Sequence, residues 1–265
     1  MEIIISIPHF STFIPPEFNS EFNLSSAQMN KHIDYGTEKI FDFSEYNVLK
    51  ALASRFVVDL NRERDDLSKG QGVIITETWD NEPVLKNELT AEKIEERLQK
   101  YYDPFYKKLE GYISKFKKPF FFLDGHSMDS YGSSVAGDLG VKRPEIDLAS
   151  GRGTVSEEIL KIFEEKLIAK GYDAQRNNPY SGARAKLIHY CHDRGAEALE
   201  LEVNKSVYMD EKTFEFKEEA IQKLRKTLSE CLEQVKEFEH LFEMSIKQKS
   251  QIAFRQGSSP CGRIN

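Results

Sequence analysis

Two apolar runs of strand length in this chain each lead into a histidine. Residues 2–7 (EIIISI) precede His9, and the aromatic run 119–123 (PFFFL) precedes Asp124, Gly125 and His126. Continuous apolar runs of this length are typical of strands buried on both faces of a sheet. In open α/β sheets, ligands bind in the crevice beyond the carboxyl ends of the strands. The pattern therefore predicts one site built from both strand ends, and we expect a metal ion there.

Other apolar patterns predict the remaining elements. Strands are predicted at residues 55–60, 73–76 and 198–203. Helices are predicted over residues 37–54, 90–117 with a break at Pro104, 154–170 and 215–249. Strands that alternate with helices indicate a single α/β domain with a largely parallel or mixed sheet, which we place at residues 1–250. Residues 251–265 are predicted to be a flexible tail. Residues 128–153 are predicted to be a long functional loop, and whether it closes over the site as a lid stays open.

The composition and the absent motifs exclude several classes of protein. The formal net charge is −7 and the pI is about 5.5, so we expect neither a nucleic-acid nor a membrane partner. No stretch approaches the ~20 apolar residues of a membrane span, and no signal peptide is recognisable. The three cysteines form no CxxC pair, which argues against a disulfide framework and favours the cytoplasm. Walker, GxGxxG, GxSxG and HExxH motifs are absent, which argues against nucleotide binding, serine esterases and zincin proteases.

His9 and His126 are the candidate metal ligands. Neutral imidazole suits zinc, and a catalytic zinc site has three protein ligands and one position for water. Spacing alone does not identify the third ligand; Asp34 is our preferred candidate, while Asp124 is expected to orient His126. Further histidines in charged, surface-like stretches stay open as ligands: His32, His189 and His192. The alternative to a metal site is that His9 and His126 are ordinary turn residues.

Two further segments carry candidate chemistry. Asn61 and Arg62 follow a predicted strand, and a guanidinium group binds carboxylates bidentately. The alternative for Arg62 is a surface salt bridge with a neighbouring carboxylate. Glu200 and Glu202 share one face of the predicted strand at 198–203. That face is either a solvated edge or the side from which Glu202 projects into the site as a general base.

Seven short segments, in this order, resemble the N-formylglutamate amidohydrolase family. They are residues 6–9 (SIPH), 34–37 (DYGT), 55–62 (RFVVDLNR), 101–105 (YYDPF), 124–128 (DGHSM), 178–182 (NPYSG), and 201–204 (LEVN) with 208–210 (YMD). Together they cover most of residues 3–212. The resemblance implies kinship with zinc carboxypeptidases and aspartoacylases, and hence a phosphorylase/hydrolase-like fold with a mixed central sheet flanked by helices.

The resemblance also implies a set of ligands. His9 and His126 would hold one zinc ion together with an acidic third ligand. In the carboxypeptidase relatives this ligand is a glutamate three residues after the first histidine, a place occupied here by Thr12. Asp34 is therefore a substitute suggested by the family pattern.

The same resemblance implies roles in catalysis and substrate binding. Glu202 would be the general base for a metal-activated water, and Arg55 would assist zinc in stabilising the oxyanion. Asn61 and Arg62 would hold the substrate carboxylate. Asn178 and Tyr180 would shape the pocket. The implied reaction is hydrolysis of the amide bond of an N-formyl- or N-acyl-amino acid such as N-formylglutamate.

Departures from the family pattern keep two alternatives open. They lie near the expected substrate pocket, at Ser11, Tyr106, Ala183 and Lys205. One alternative is a zinc carboxypeptidase-like peptidase acting on short or cell-wall peptides. The other is a non-catalytic relative that binds a ligand without turnover. The sequence does not give the oligomeric state.

Overall fold

A six-stranded sheet forms the centre of the protein, which we describe from a computed structural model over residues 1–133 and 137–257. The strands are β1 (Ile3–Ile7), β2 (Asn47–Lys50), β3 (Phe120–Met128), β4 (Ile146–Ala149), β5 (Ala174–Arg176) and β6 (Ala196–Asn204). Their order across the sheet is β2-β1-β3-β6-β4-β5. Strands β2, β1, β3 and β6 are parallel, β4 is antiparallel to β6, and β5 is parallel to β4. The predicted mixed α/β sheet is thus confirmed.

Helices cover both faces of this sheet. In the described residues they are α1 (Ser26–Lys31), α2 (Glu38–Phe41), α3 (Ala91–Arg97), α4 (Asp103–Ile113), α5 (Glu157–Ala169), α6 (Lys186–His192), α7 (Lys205–Tyr208) and α8 (Glu218–Gly257). A π-helical turn, Leu98–Tyr102, joins α3 to α4, so Pro104 lies in the first turn of α4 rather than between two separate helices. None of the described helices has an apolar stretch long enough to cross a membrane.

The apolar run of β3 is explained by the two cores that flank the sheet. Phe120 and Phe122 pack into the core that includes residues of α4 and α6. Phe121 and Leu123 pack on the opposite side, with residues of α5 and α8. Alternate residues of a strand point to opposite faces, so a strand covered on both sides has no position for a solvated side chain.

Several sequence-based predictions of elements were wrong. Within residues 37–54, only α2 is helical, and residues 47–50 form the edge strand β2 because they pair with β1. Residues 55–60 and 73–76 are not strands: all of them except the half-buried Thr76 are buried, but they join no ladder of the sheet. Their β-branched residues reflect burial rather than strand pairing. The sequence also failed to reveal the short strands β4 and β5 and helix α6.

The ends of two predicted elements also differ. Strand β3 does not end before Asp124 but continues to Met128, because β6 runs alongside it over the full length of both strands. Helix α8 extends through residues 251–257, the first part of the predicted tail, while residues 258–265 lie outside the described residues. The predicted loop 128–153 contains β4, and residues 134–136 within it also lie outside the described residues. The lid and the domain boundary stay predictions.

Candidate metal centre and active site

Adjacent strands place two rows of polar side chains on one face of the sheet. Asp124 of β3 lies beside Glu200 of β6, and His126 lies beside Glu202. Asp147 of β4 lies on the other side of Glu202. All five side chains are buried, and Glu200 and Glu202 are only 5% and 8% exposed. The face that carries Glu200 and Glu202 is therefore part of an interior polar cluster and not a solvated edge.

Two imidazole groups converge on one carboxylate. The Nδ1 atom of His126 lies 2.9 Å from Oδ2 of Asp34, and the Nδ1 atom of His9 lies 3.5 Å from the same oxygen. One ligand atom from each of the three residues lies within 4.8 Å of the others. The backbone N–H of Asp34 donates to the carbonyl of His9, which holds the segment between α1 and α2 against the end of β1. The structure thus brings together the three residues predicted as metal ligands.

Each of these imidazoles has a second carboxylate partner. The Nε2 atom of His9 lies 2.8 Å from Asp59 Oδ1, and the Nε2 atom of His126 lies 3.0 Å from Asp124 Oδ2. Metal-bound histidines commonly have a carboxylate at the ring nitrogen that faces away from the metal. Asp124 thus contacts the ring of His126, and its orienting role stays a prediction. Sequence reasoning missed Asp59, which lies in a segment misassigned as a strand.

Asp59 is itself held in place by its neighbours along the chain. Arg55 Nη2 donates to Asp59 Oδ2 over 2.7 Å, and the backbone N–H of Asn61 donates to Asp59 Oδ1 over 2.8 Å. Burial raises the pKa of Asp59, but the charges of His9 and Arg55 outweigh this effect and bring the pKa well below its ordinary value. Asp59 is therefore an anion that fixes the ring of His9.

The charges at the centre favour a cation. Burial raises the pKa of Asp34, but hydrogen bonds from His126 and His9 outweigh it, so the pKa of this carboxyl group lies well below the ordinary range. Burial lowers the pKa of His126, but the neighbouring Asp124 and Asp34 carboxylates more than reverse this and bring the pKa well above its ordinary value. Ionised carboxylates that attract protons to the imidazoles also attract a metal ion. Two imidazole nitrogens and one carboxylate oxygen form a donor set that fits zinc.

The histidines left open as alternative ligands lie elsewhere. His32 is buried rather than surface-like, and its ring lies 5.9 Å from that of Trp79. The side chains of His189 and His192 each lie 3.2 Å from a backbone carbonyl oxygen, of Gly182 and Ala196 respectively. None of the three belongs to the groups of possible metal ligands that the described residues form.

Glu202 has a free carboxyl oxygen in the polar cluster. Its Oε2 atom is buried and has no hydrogen-bond partner among the described residues. Burial raises the pKa of Glu202 well above its ordinary value, with His126 opposing and Glu200 adding to the shift. Burial likewise raises the pKa of Glu200 to about 7. The cluster therefore contains a buried carboxyl group with one oxygen that has no partner among the described residues.

Asn61 and Arg62 face different surroundings. The side-chain amide of Asn61 donates to Asp124 Oδ2 over 3.1 Å and lies 3.2 Å from His126 Nε2, while its oxygen accepts from the N–H of Leu187. Arg62 donates only to the backbone carbonyls of Gln71 and Asn61, and within the described part of the chain it forms no salt bridge. It lines an open pocket of about 680 Å³. Asn61 thus contacts the candidate metal centre, and Arg62 has no carboxylate partner among the described residues.

The predicted pocket residues Asn178 and Tyr180 are positioned through Asp147. Their backbone N–H groups donate to the two oxygens of this carboxylate over 2.9 and 2.8 Å. Burial raises the pKa of the Tyr180 hydroxyl and the charge of Glu202 adds to the shift, while the guanidinium group of Arg143 lies 5.1 Å from the centre of the Tyr180 ring. The Asn178 side chain instead donates to Gln175 and is exposed. The turn is therefore tied to the cluster by its backbone through Asp147, while the side-chain amide of Asn178 is engaged by Gln175.

Comparison with known proteins agrees with this arrangement. Residues 1–209 match the N-formylglutamate amidohydrolase family. The N-formylglutamate deformylase of Pseudomonas aeruginosa is 24% identical over 247 residues, which cover 87% of this chain and 91% of that protein. The enzyme of the same name from Pseudomonas putida is 23% identical over 88% of this chain and 91% of that protein.

A solved structure shows the same fold. The crystal structure of N-formylglutamate amidohydrolase from Ralstonia eutropha JMP134 superposes with a TM-score of 0.77 at 22% identity, over 89% of this chain and 93% of that one. The family match spans well over half of the 265 residues and confirms the resemblance found in the sequence motifs. This chain belongs to the N-formylglutamate amidohydrolase family, whose name denotes hydrolysis of a linear amide bond.

Proposed function

We propose that this protein hydrolyses the amide bond of an N-formyl- or N-acyl-amino acid such as N-formylglutamate, with zinc as its metal and Glu202 as general base. Family membership and the names of the curated relatives support the reaction. One observation carries the mechanism. The unpartnered Oε2 of Glu202 lies in the same polar cluster as two imidazoles whose Nδ1 atoms meet at Asp34.

Metal binding and proton transfer are assigned to different residues. Zinc held by His9, Asp34 and His126 would polarise the amide carbonyl and acidify a water molecule. Glu202 Oε2 takes the proton from the attacking water and later gives it to the leaving amine nitrogen. Bound zinc would counteract the burial that raises the pKa of Glu202, so that the ionised carboxylate needed for the first step is available.

The two arginines are assigned to the substrate carboxylate and to the oxyanion that develops during the reaction. Arg62 binds the substrate carboxylate, since its guanidinium group has no carboxylate partner of its own in the described structure. Asn61, predicted to share this role, instead contacts Asp124 and His126, so we assign it to positioning the metal centre. Arg55 keeps an unpartnered, buried Nε–H group beside its bond to Asp59, and we assign this donor to the developing oxyanion.

The first test is the metal content of wild type and His126→Ala, measured by elemental analysis. We expect about one zinc per chain in wild type and its loss in the variant. Wild-type protein that carries no metal and takes up none when zinc is added would contradict the proposed mechanism.

The second test is turnover of a panel of N-formylglutamate, N-acetyl-amino acids and short peptides. Glu202→Gln should keep zinc and lower kcat by about 10²–10⁴-fold, as loss of a general base does. Glu197→Gln is the matched control, because Glu197 is on the same strand but its carboxylate accepts the N–H of Ser156 away from the cluster. Unchanged turnover in Glu202→Gln would remove this residue from the role of base, and turnover of peptides alone would favour a peptidase.

A further inference from the structure

The pocket that Arg62 lines is rich in basic groups. It is open to solvent, has a volume of about 680 Å³, and lies between the segment that follows Asn61 and the start of α6. Its basic lining residues are Arg62, Lys69, Arg184, Lys186 and His189. Its acidic lining residues are Glu63, Asp66 and Glu77. We call this space the basic pocket.

Two of the four permanent cations of the basic pocket already have acidic partners. Lys186 pairs with Glu63, and its ammonium group also lies 5.1 Å from the centre of the Tyr106 ring. Lys69 pairs with Glu77 over 3.3 Å. Each of these two lysines therefore already has a carboxylate close to it.

The two arginines of the basic pocket have no such partners. Within the described residues, neither Arg62 nor Arg184 has a carboxylate oxygen within salt-bridge distance. The third acid, Asp66, uses Oδ1 to accept the backbone N–H and the hydroxyl of Ser68. The positive charges of both arginines help to lower its pKa, after the larger effect of the Ser68 hydroxyl, so Asp66 lies in the field of both. Two guanidinium groups thus line one cavity, in which Glu63 and Glu77 pair with lysines and Asp66 is the remaining acid.

Asn61 links the chain around the basic pocket to the candidate metal centre. Arg62 directly follows Asn61, whose amide contacts Asp124 and His126. The N–H of Leu187 in α6 donates to the side chain of Asn61, which ties the segment that carries Arg184 to the same residue. A carboxylate held at Arg62 would lie in the same space that Arg184 lines.

We propose that Arg184 binds the side-chain carboxylate of a dicarboxylic N-acyl-amino acid while Arg62 binds the α-carboxylate. This inference rests on the proposed function and adds a residue that selects acidic over neutral amino acids. Guanidinium groups bind carboxylates with two parallel hydrogen bonds, and a neutral amide of the same shape cannot replace the charge. Arg184 is exposed, so its replacement removes a ligand contact and leaves the core intact.

The test compares N-formyl-L-glutamate with N-formyl-L-glutamine, which differ only in the charge at the end of the side chain. For the zinc-loaded wild type we expect a higher kcat/KM with N-formylglutamate. Arg184→Ala should lower kcat/KM for N-formylglutamate about tenfold to a hundredfold, mainly through KM, and should change the value for N-formylglutamine less than about twofold. Arg184→Lys should restore part of the loss.

Lys69→Ala is the matched control, because it removes the same charge from the same pocket but at a cation that already has a partner. It should affect both substrates little. Equal losses for both substrates in Arg184→Ala, or no loss for either, would overturn the inference. So would a wild type that hydrolyses N-formyl-amino acids without preferring glutamate.

A binding measurement separates failure of this inference from failure of the proposed function. If wild type hydrolyses no member of the panel, the proposed function fails. Calorimetric titration of the zinc-loaded protein with L-glutamate and with L-glutamine then decides the role of Arg184. Preferential binding of glutamate that is lost in Arg184→Ala supports it, and equal binding of both amino acids contradicts it.

Discussion

Replacement of Gly125 by alanine tests how closely β3 is packed at the metal centre. Gly125 lies between Asp124 and His126, and its missing side chain faces the ring of Phe41 in α2. A Cβ atom at Gly125 would lie 2.6 Å from Cγ and Cδ2 of Phe41 and 3.0 Å from Cδ1. Carbon atoms in contact are normally about 3.5–4.0 Å apart. The ring or the strand must therefore move by roughly 1 Å.

The ring of Phe41 has little freedom to retreat. The ring is fully buried in the core that lies between the sheet and helices α5 and α8. The backbone around it is held by Arg225 of α8, which donates to the carbonyl groups of Lys39, Ile40 and Asp42 over 3.0, 3.1 and 3.0 Å. We expect Gly125→Ala to lower the free energy of unfolding by about 1–3 kcal/mol, the usual cost of overpacking a core. Because β3 carries His126, we also expect weaker zinc binding.

A double-mutant cycle with Phe41→Leu isolates the contact. The smaller leucine alone should cost about 1 kcal/mol through the cavity it leaves. In the double variant it makes room for the new methyl group, so the combined loss should be smaller than the sum by about 1 kcal/mol or more. Urea unfolding measures these free energies, and each kcal/mol should shift Tm by about 2–4 °C in a chain of this size.

Gly111→Ala is the control for the substitution itself. Gly111 lies within α4 and a Cβ atom there would meet no other atom within 4 Å. Alanine at this position should stabilise the protein by about 0.5–1 kcal/mol, the opposite sign to that expected at Gly125. The packing argument is refuted if Gly125→Ala is as stable as wild type, or if its effect and that of Phe41→Leu are additive within about 0.5 kcal/mol.

Two further predictions concern the carboxylates around the metal centre. Asp59→Asn should weaken zinc binding about 10–100-fold in a competition with a chelator, because Asp59 fixes the ring of His9; unchanged affinity would exclude this role. In the metal-free protein, burial and neighbouring carboxylates raise the pKa of Glu200 to about 7 from 4.5, although His126 opposes the shift. The folded state then holds a proton that the unfolded state releases, so stability falls by up to about 3 kcal/mol as pH rises from 4.5 to 7. Glu200→Gln should reduce the fall in stability between about pH 5 and about pH 8 in urea unfolding of the metal-free protein, while Glu202 and Asp147, whose pKa values burial also raises, account for the remainder. An unchanged dependence would contradict the assignment.

The elements predicted correctly are those with a repeated burial pattern. Strands β1, β3 and β6 were found because each has an apolar or alternating run, and helices α4, α5 and α8 because their apolar residues recur at helical spacing. The wrong predictions lie in segments where an apolar, buried sequence does not form the hydrogen bonds of a sheet. Residues 55–60 have the composition of a strand, but they are buried without joining the sheet. The edge strand β2 was read as helix because four residues give too short a pattern to separate the two.

The chain itself determined which chemical groups the site would contain. The sequence shows two histidines at the ends of apolar runs, a glutamate pair on a third strand and an Asn-Arg pair. It also predicts that these groups come together, because parallel strands carry their last residues to the same edge of a sheet. Only the tertiary structure decided how these groups meet. Asp34 and Asp59 come from irregular segments whose path no local pattern fixes, yet they provide the carboxylates on either side of the His9 ring. The tertiary structure likewise decided that Glu63 pairs with Lys186, and Glu77 with Lys69, rather than with Arg62 or Arg184. Periodicity reports which side of an element is buried, whereas the partners of a buried charge depend on distances that only the folded chain defines.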